Sequence, residues 1–292
     1  MVYSQLLVNG LIDGAIYALV AAGFSLIYST NRFIHFAHGA TLAAGAYFLY
    51  WTVEGLGLDL YFGLILLLLF AALFGAFMNT VIYKKLRERN VSPEILLIAS
   101  IALALLMENV ILAIAGAKPL SFSLTQAEAG IEVLGAYVTP IQLYIMGMAF
   151  LLLILLYLAM KKTSWGKYTR AVADNPQLAS IQGISHERMY LYSFIVGSVL
   201  AGIAGALIGL ENSVFHTMGT QLVIKGFAAS VIGGIVSVPG AIVGSFILGL
   251  LENIGIFILP TGYKDAIAFA LLFIFLLVKP NGLFGPKQRD GI

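Results

Sequence analysis

Long apolar runs dominate the chain, and short polar segments separate them. A helix needs about 20 apolar residues to cross ~30 Å of hydrocarbon. Nine runs approach that length: 5–28, 35–52, 60–82, 94–115, 141–160, 189–210, 223–236, 239–259 and 264–279. The seventh is short, and Gly233–Gly234 followed by Pro239 breaks its helical pattern. The pattern predicts an all-α polytopic membrane protein with about 8–9 transmembrane segments, the seventh being a short half-helix or one limb of a re-entrant pair.

Composition supports the membrane assignment. Hydrophobic residues make up 60% of the chain and charged residues 10%, whereas soluble domains carry about 25% charged residues. A surface this poor in charge is suited to a lipid bilayer and gives no reason to expect a nucleic-acid partner. The absence of cysteine excludes disulfides, thiolate catalysis and cysteine-ligated metals.

Basic residues collect in alternate loops and indicate an orientation. Four lie at 84–89, five at 161–188 and three at 279–289, and Arg32 makes thirteen of the sixteen Lys and Arg. The intervening loops, Lys118 excepted, are acidic and carry Glu54, Asp59, Glu128, Glu132 and Glu211. Because cytoplasmic loops are enriched in Lys and Arg, we expect a multi-pass protein of the cell inner membrane with its N-terminus outside and its C-terminus in the cytoplasm.

Polar residues inside the apolar runs are the candidates for a translocation path. Ionisable groups are costly within a membrane and usually face a partner or a cavity. The dipeptide Glu–Asn occurs at 108, 211 and 252. Each copy either forms hydrogen bonds between helices or lines the translocation path. The candidate path residues are Asp13, His38, Glu108, Asn109, Gly233, Gly234, Glu252 and Asn253.

Two further patterns have structural explanations that compete with a functional one. Gly10 and Gly14, Gly205 and Gly209, and Gly240 and Gly244 are spaced to let helices pack closely, although a glycine-lined path or hinge is the alternative. His35 and His38 are three residues apart, but no third ligand stands at a suitable spacing. We therefore predict no metal site and no cofactor in this chain.

Residues 161–188 form a basic segment that is also patterned for helices. Asp174 and Asn175 are candidate N-caps, Pro176 suits a first helical turn, and Gly183 suits a helix end. Residues 166–173 and 177–182 are thus predicted as two short helices. Such caps favour a segment of defined structure over a merely solvated loop. The segment would lie along the membrane surface or dock into a cytoplasmic partner.

The same segment resembles the ATPase-docking loop of ATP-binding-cassette importer permeases, in particular the LivH-type permeases of branched-chain amino acid uptake. The matching residues are Gly166, Arg170, Ala171, Val172, Ala173, Asn175, Pro176, Ala179, Gly183 and Ile184. Residues 9–19 with 34–39, 231–253 and 279–285 also resemble patterns of that family, in the same order. His35 departs from it, since the family usually has Asn at that position.

The resemblance implies one permease domain over 1–292, with 161–188 as its ATPase-docking loop. It also implies a second, related permease subunit, two cytoplasmic ATPases that bind ATP and Mg, and an external substrate-binding protein. Consistent with separate ATPases, the chain lacks the phosphate-binding pattern G-x4-G-K-[ST], because Tyr168 follows Gly166–Lys167. The chain would therefore be a transport subunit and not itself an enzyme.

Other functions remain open at this point. Within the importer class, urea or short amides are alternative substrates. An ion-coupled secondary amino-acid transporter is a different class, and a buried carboxylate or a broken helix would suit it. A membrane-embedded enzyme has no support, because neither a metal-ligand set nor a nucleophile–base motif stands out.

Overall fold

The computed structural model describes residues 2–123, 130–133 and 135–285, which form a helical bundle with one short β-hairpin. The helices are α1 Val2–Asn31, α2 His38–Tyr50, α3 Leu60–Phe77, α4 Lys84–Glu88, α5 Pro93–Ala115, α6 Pro140–Lys162, α7 Ser164–Asp174, α8 Pro176–Ile181, α9 His186–Glu211, α10 Met218–Gly233, α11 Val238–Gly255 and α12 Lys264–Val278. The antiparallel strands β1 Ile131–Val133 and β2 Ala136–Val138 form the hairpin. π-Helical turns at Trp51–Gly55 and Met78–Tyr83 extend α2 and join α3 to α4, and a 3-10 turn at Thr261–Tyr263 precedes α12.

Six helices of the described residues are long and apolar enough to cross a membrane. They are α1, the continuous helix Leu60–Glu88, α5, α6, α9 and α11. Helix α10 is apolar but has 16 residues. It begins at Met218, five residues before the predicted start at 223, because polar Gln221 and Thr220 hide its first turn from an apolar pattern.

Helices α1 and α9 form the centre of the bundle. Most residues of both are buried, whereas α3, α5 and α6 expose long apolar faces. The two central helices cross where Gly23 meets Gly197, since a Cβ added at Gly23 would lie 2.8 Å from the Gly197 carbonyl oxygen. A helix that is apolar all round is suited to such a buried position.

The two halves of the chain repeat one arrangement. Each central helix is followed by a six-residue connection and a shorter helix, α2 after α1 and α10 after α9. The first turns of α2 and α10 touch, because a Cβ added at Gly219 would lie 2.0 Å from the Gly39 carbonyl oxygen. Paired short helices whose N-termini meet inside the bundle are typical of transporters built from internal repeats.

The predicted break after α10 is a tight helical hairpin. Helix α10 ends at Gly233, Gly234 has φ +110°, and Ser237 caps α11 by accepting from the Gly240 amide. A Cβ at Gly233 would lie 1.9 Å from the Gly240 carbonyl oxygen, so only glycine fits there. The segment after α12 closes over this turn, since Leu283 N–H donates to Ile232 O.

Candidate functional site

The segment 161–188 folds into two capped helices, α7 and α8. The Thr163 side chain accepts from the Gly166 amide at the start of α7. The Asn175 side chain accepts from the amides of Gln177 and Leu178, and so caps α8. Asp174 is the last residue of α7 and makes no cap, so only the second of the two predicted caps is formed.

The end of α8 follows the predicted glycine. Gly183 has φ +82°, and the next amide, Ile184 N–H, donates to Ala179 O. This backbone turn closes the helix and reverses the chain toward α9, whose N-cap is Ser185. Local sequence alone thus specifies the ends of α8.

Three contacts fix α7 and α8 to the bundle. Val172, Ala179 and Met189 form a small buried core between α7, α8 and α9. Arg170 donates to the Met160 carbonyl of α6, and Arg32 donates to the Ala173 carbonyl. Helix α8 thus packs on α7 and α9, and α7 in turn contacts α6 and the end of α1.

Helix α8 carries two exposed apolar side chains on its outer face. Leu178 is 58% exposed and Ile181 is 81% exposed, while Ala179 between them is buried.

Gly166 packs so closely on the Met160 carbonyl that a Cβ there would lie 2.1 Å from that oxygen. Ala171 and Ile184 are half-buried beside the small core. The segment has a fixed inner face and an unpartnered outer face within the described chain.

The basic loops come together at one end of the bundle. Arg87 of α4 donates to both carboxylate oxygens of Glu187 at the start of α9, at 3.2 and 3.0 Å. The same guanidinium donates to the side chains of Asn31 and Asn79. This network ties α1, α4 and α9 beside α7 and α8.

A second polar network lies within the bundle, near the opposite end. Lys225 of α10 donates to Glu252 Oε2 at 3.3 Å and Tyr17 OH at 3.1 Å, and pairs with Asp265 at 3.0 Å. Tyr17 OH donates to the same Glu252 oxygen at 2.9 Å. Glu252 Oε1 is buried and has no hydrogen-bond partner among the described residues.

A neighbouring set of contacts joins α11 to α1 and α12. Asp13 Oδ2 accepts from Asn253 Nδ2 at 2.8 Å and from Lys264 Nζ at 3.1 Å. The three predicted path residues thus belong to two neighbouring sets, Glu252 in the first and Asp13 with Asn253 in the second, which adjoin along the chain at 252–253 and 264–265. The sequence did not predict their partners, which are Tyr17, Lys225, Lys264 and Asp265. The two lysines carried a signal, because they are basic residues outside the basic loops.

The remaining predicted path residues lie apart from these two sets. Glu108, in the middle of α5, accepts from Thr220 Oγ1 of α10 at 2.7 Å, and Asn109 donates to Leu105 O. His38 is fully buried and lies against Gly23. Gly233 and Gly234 form the α10–α11 turn. The three Glu–Asn pairs thus have three different environments, since Glu211 accepts from Gln142 at 3.1 Å.

The histidines form packing contacts. His35 is buried, and its Nδ1 lies 3.0 Å from Tyr83 OH. Within the described residues, no group of three or more His, Asp or Glu side chains is arranged to hold a metal ion.

Comparison with known proteins identifies the family. The family described as "Branched-chain amino acid transport system / permease component" matches residues 6–276. The permease protein LivH of Salmonella typhimurium is 31% identical over 99% of this chain and 98% of its own length. BraD of Pseudomonas aeruginosa is 32% identical over the same shares, and both are named high-affinity branched-chain amino acid transport system permeases.

A solved structure supports the fold. One chain of "PsaBC from Streptococcus pneumoniae in complex with Fab" superposes with a TM-score of 0.50, at 17% identity, over 94% of this chain and 92% of that one. At this identity the likeness concerns the fold alone. The family match over residues 6–276 and the full-length relatives establish that the chain belongs to the family of branched-chain amino acid transport system permeases.

Proposed function

We propose that the chain is the permease subunit of an ATP-binding-cassette importer that carries branched-chain amino acids across the bacterial inner membrane. The observation that carries the proposal is the full-length similarity to permeases named for that transport, at 31–32% identity. Its partners are a second related permease, two cytoplasmic ATPases that bind ATP and Mg, and an external substrate-binding protein. More distant relatives, named for fructose and autoinducer 2 import, match less of the chain, so they support this substrate class less.

The segment 161–188 is the ATPase-docking loop in this proposal, and α8 is its coupling helix. The exposed Leu178 and Ile181 suit an apolar cleft in a partner. Closure of the ATPase dimer moves α8, and the Arg170–Met160 and Arg32–Ala173 contacts pass the motion to α6 and α1. The bundle then alternates between two states whose balance the nucleotide sets.

The proposed topology has nine crossings in a single domain over 1–292, with the N-terminus outside and the C-terminus in the cytoplasm. It counts α2, α10 and α12 as short crossings beside the six long ones. Arg32, Arg87 and the docking loop lie together at one end, as nine alternating crossings require. The positive-inside rule makes that end cytoplasmic.

The translocation path runs along the α5 face that carries Glu108 and Asn109. Asn109 is exposed and Glu108 is half-exposed on a helix that is otherwise apolar. Exposed polar groups at mid-span face a partner subunit or water in preference to lipid. The second permease covers this face, and the substrate ammonium passes the Glu108 carboxylate.

Reconstitution tests the proposal. Proteoliposomes contain the chain with its partner permease and ATPases, and labelled leucine is supplied with the binding protein. We expect uptake that requires internal ATP. Uptake by the chain alone, driven by a proton or sodium gradient, refutes the importer function and favours the ion-coupled carrier.

A matched pair of glycine variants tests the coupling loop. Gly183 and Gly116 both have positive φ, +82° and +78°, and at neither does a described residue lie within 4 Å of an added Cβ. Both Gly183→Glu and Gly116→Glu introduce backbone strain, at opposite ends of the bundle. The strain is not smaller at Gly116, whose ψ of 179° is a conformation almost restricted to glycine, so Gly116→Glu is a stringent control. We expect Gly183→Glu to abolish most leucine uptake per ATP hydrolysed, with Gly116→Glu close to wild type. Equal uptake by the two variants contradicts the coupling role.

A further inference from the structure

A cavity of about 670 Å³ opens beside the docking loop. It lies between the last turns of α6, helix α7, the α10–α11 turn and the segment that follows α12. One wall is apolar and is formed by Leu156, Met160, Val238, Pro239, Ile242 and Phe284. Leu155 and Leu158, which flank this wall on α6, are exposed on the outside of the bundle. The apolar wall is thus continuous with the surface that faces the hydrocarbon.

The cavity also has a basic wall, which adjoins the apolar one at Met160 and Lys161 of α6. Arg32, Lys161 and Arg170 line the cavity, and among the described residues that line it Asp174 is the one acidic side chain. Elsewhere in the described chain Arg87, Lys225 and Lys264 are paired with carboxylates. Among the same described residues, none of the three cavity cations forms an ion pair.

Within the described residues, the contacts of these three cations are with neutral groups. Arg32 and Arg170 donate to backbone carbonyls, and Lys161 Nζ donates to Tyr157 OH at 3.0 Å. Counted over the described lining residues, three cations against one carboxylate give the wall a net charge of +2. A phosphate group would satisfy this charge and the unused N–H donors together.

We propose that the cavity binds an anionic phospholipid, with its phosphodiester on the basic wall and the start of an acyl chain along the apolar wall. Basic pockets between membrane helices on the cytoplasmic side favour anionic headgroups. The placement in the cytoplasmic leaflet rests on the topology proposed above. An amphipathic occupant fits both walls, whereas a soluble phosphate leaves the apolar wall uncovered.

The site links the lipid to coupling. The headgroup contacts Arg170 and Arg32, which hold α7 to α6 and α1, and the acyl chain lies against the start of α11. The lipid therefore braces the docking loop against the α10–α11 turn, and its binding is sensitive to the state of the coupling helix.

Native mass spectrometry of the assembled complex in detergent tests the proposal. The probes are dioleoyl-phosphatidylglycerol, dioleoyl-phosphatidylcholine and glycerol phosphate. We expect the phosphatidylglycerol to be retained in preference to the phosphatidylcholine, and glycerol phosphate not to displace it. Lys161→Gln should weaken phosphatidylglycerol binding about fivefold, the usual contribution of one basic residue at an anionic surface. Lys161→Arg should restore it, and the neighbouring Lys162→Gln, outside the cavity lining, should leave it unchanged.

Four results overturn the proposal. They are equal retention of the two lipids, equal weakening by Lys161→Gln and Lys162→Gln, full displacement by glycerol phosphate, and binding to the isolated permease that is lost in the complex. The last means that a protein partner covers the cavity. Leucine uptake is measured on the same preparations: ATP-dependent uptake without lipid preference rejects only the lipid site, and lipid preference without uptake rejects only the transport function.

Discussion

Replacing Lys225 with methionine tests whether the intramembrane ion pairs stabilise the bundle. The Lys225 side chain is 14% exposed, and its partner Glu252 is 0% exposed. Methionine has a similar length and no charge, so Lys225→Met removes the cation with little change in packing volume. The Glu252 carboxylate then keeps one hydrogen bond, from Tyr17.

The expected loss follows from the burial of the remaining charge. Removing one partner of a buried ion pair costs about 3–5 kcal/mol, because the other charge stays desolvated without compensation. The retained Tyr17 bond places Lys225→Met near the lower value, about 3 kcal/mol. The Lys225–Asp265 contact adds little, since Asp265 is 62% exposed.

A double-mutant cycle separates the pair from general damage. We expect Lys225→Met to lower the free energy of unfolding, measured by denaturant titration in detergent micelles. Lys225→Met combined with Glu252→Gln should recover much of that loss, because no buried charge is left unpaired and Asp265 is exposed to solvent. Lys84→Met is the matched control: its pair with Glu88 is exposed and contributes below about 0.5 kcal/mol. Equal effects of Lys225→Met and Lys84→Met, or additive losses in the cycle, would refute the reasoning.

Three further predictions concern the path, the packing and the docking loop. Glu108→Gln should lower leucine uptake severalfold without changing the melting temperature of the protein. Glu94→Gln, at the exposed start of the same helix, should leave uptake unchanged. Unaltered uptake by Glu108→Gln would show that Glu108 is not part of the path. Gly205→Ala should destabilise the protein by about 1–3 kcal/mol in thermal unfolding, because its Cβ would lie 2.0 Å from a carbonyl oxygen of α2; Gly147→Ala has open space and should show no such loss. Asn175→Ala should weaken α8 by about 1 kcal/mol, seen as faster amide exchange in its first turn, and unchanged exchange rules out the cap.

Local signals in the sequence predicted the helices well. Eight of the nine apolar runs begin within three residues of the first residue of a described helix. Asn175 and Gly183 mark the two ends of α8, as predicted. These features depend on neighbouring residues, through hydrogen bonds that span at most four or five positions. The late start assigned to α10 was wrong because its first turns are polar.

The sequence by itself determined that this is a helical membrane protein, where its helices lie, and which family it resembles. It did not distinguish the buried α1 from the exposed α5, because lipid is as apolar as a protein core and both helices carry similar apolar runs. The tertiary structure alone decided that Lys225 meets Glu252 and that Lys264 meets Asp13. The latter pair is separated by 251 positions, and such a contact exists only once the helices have packed.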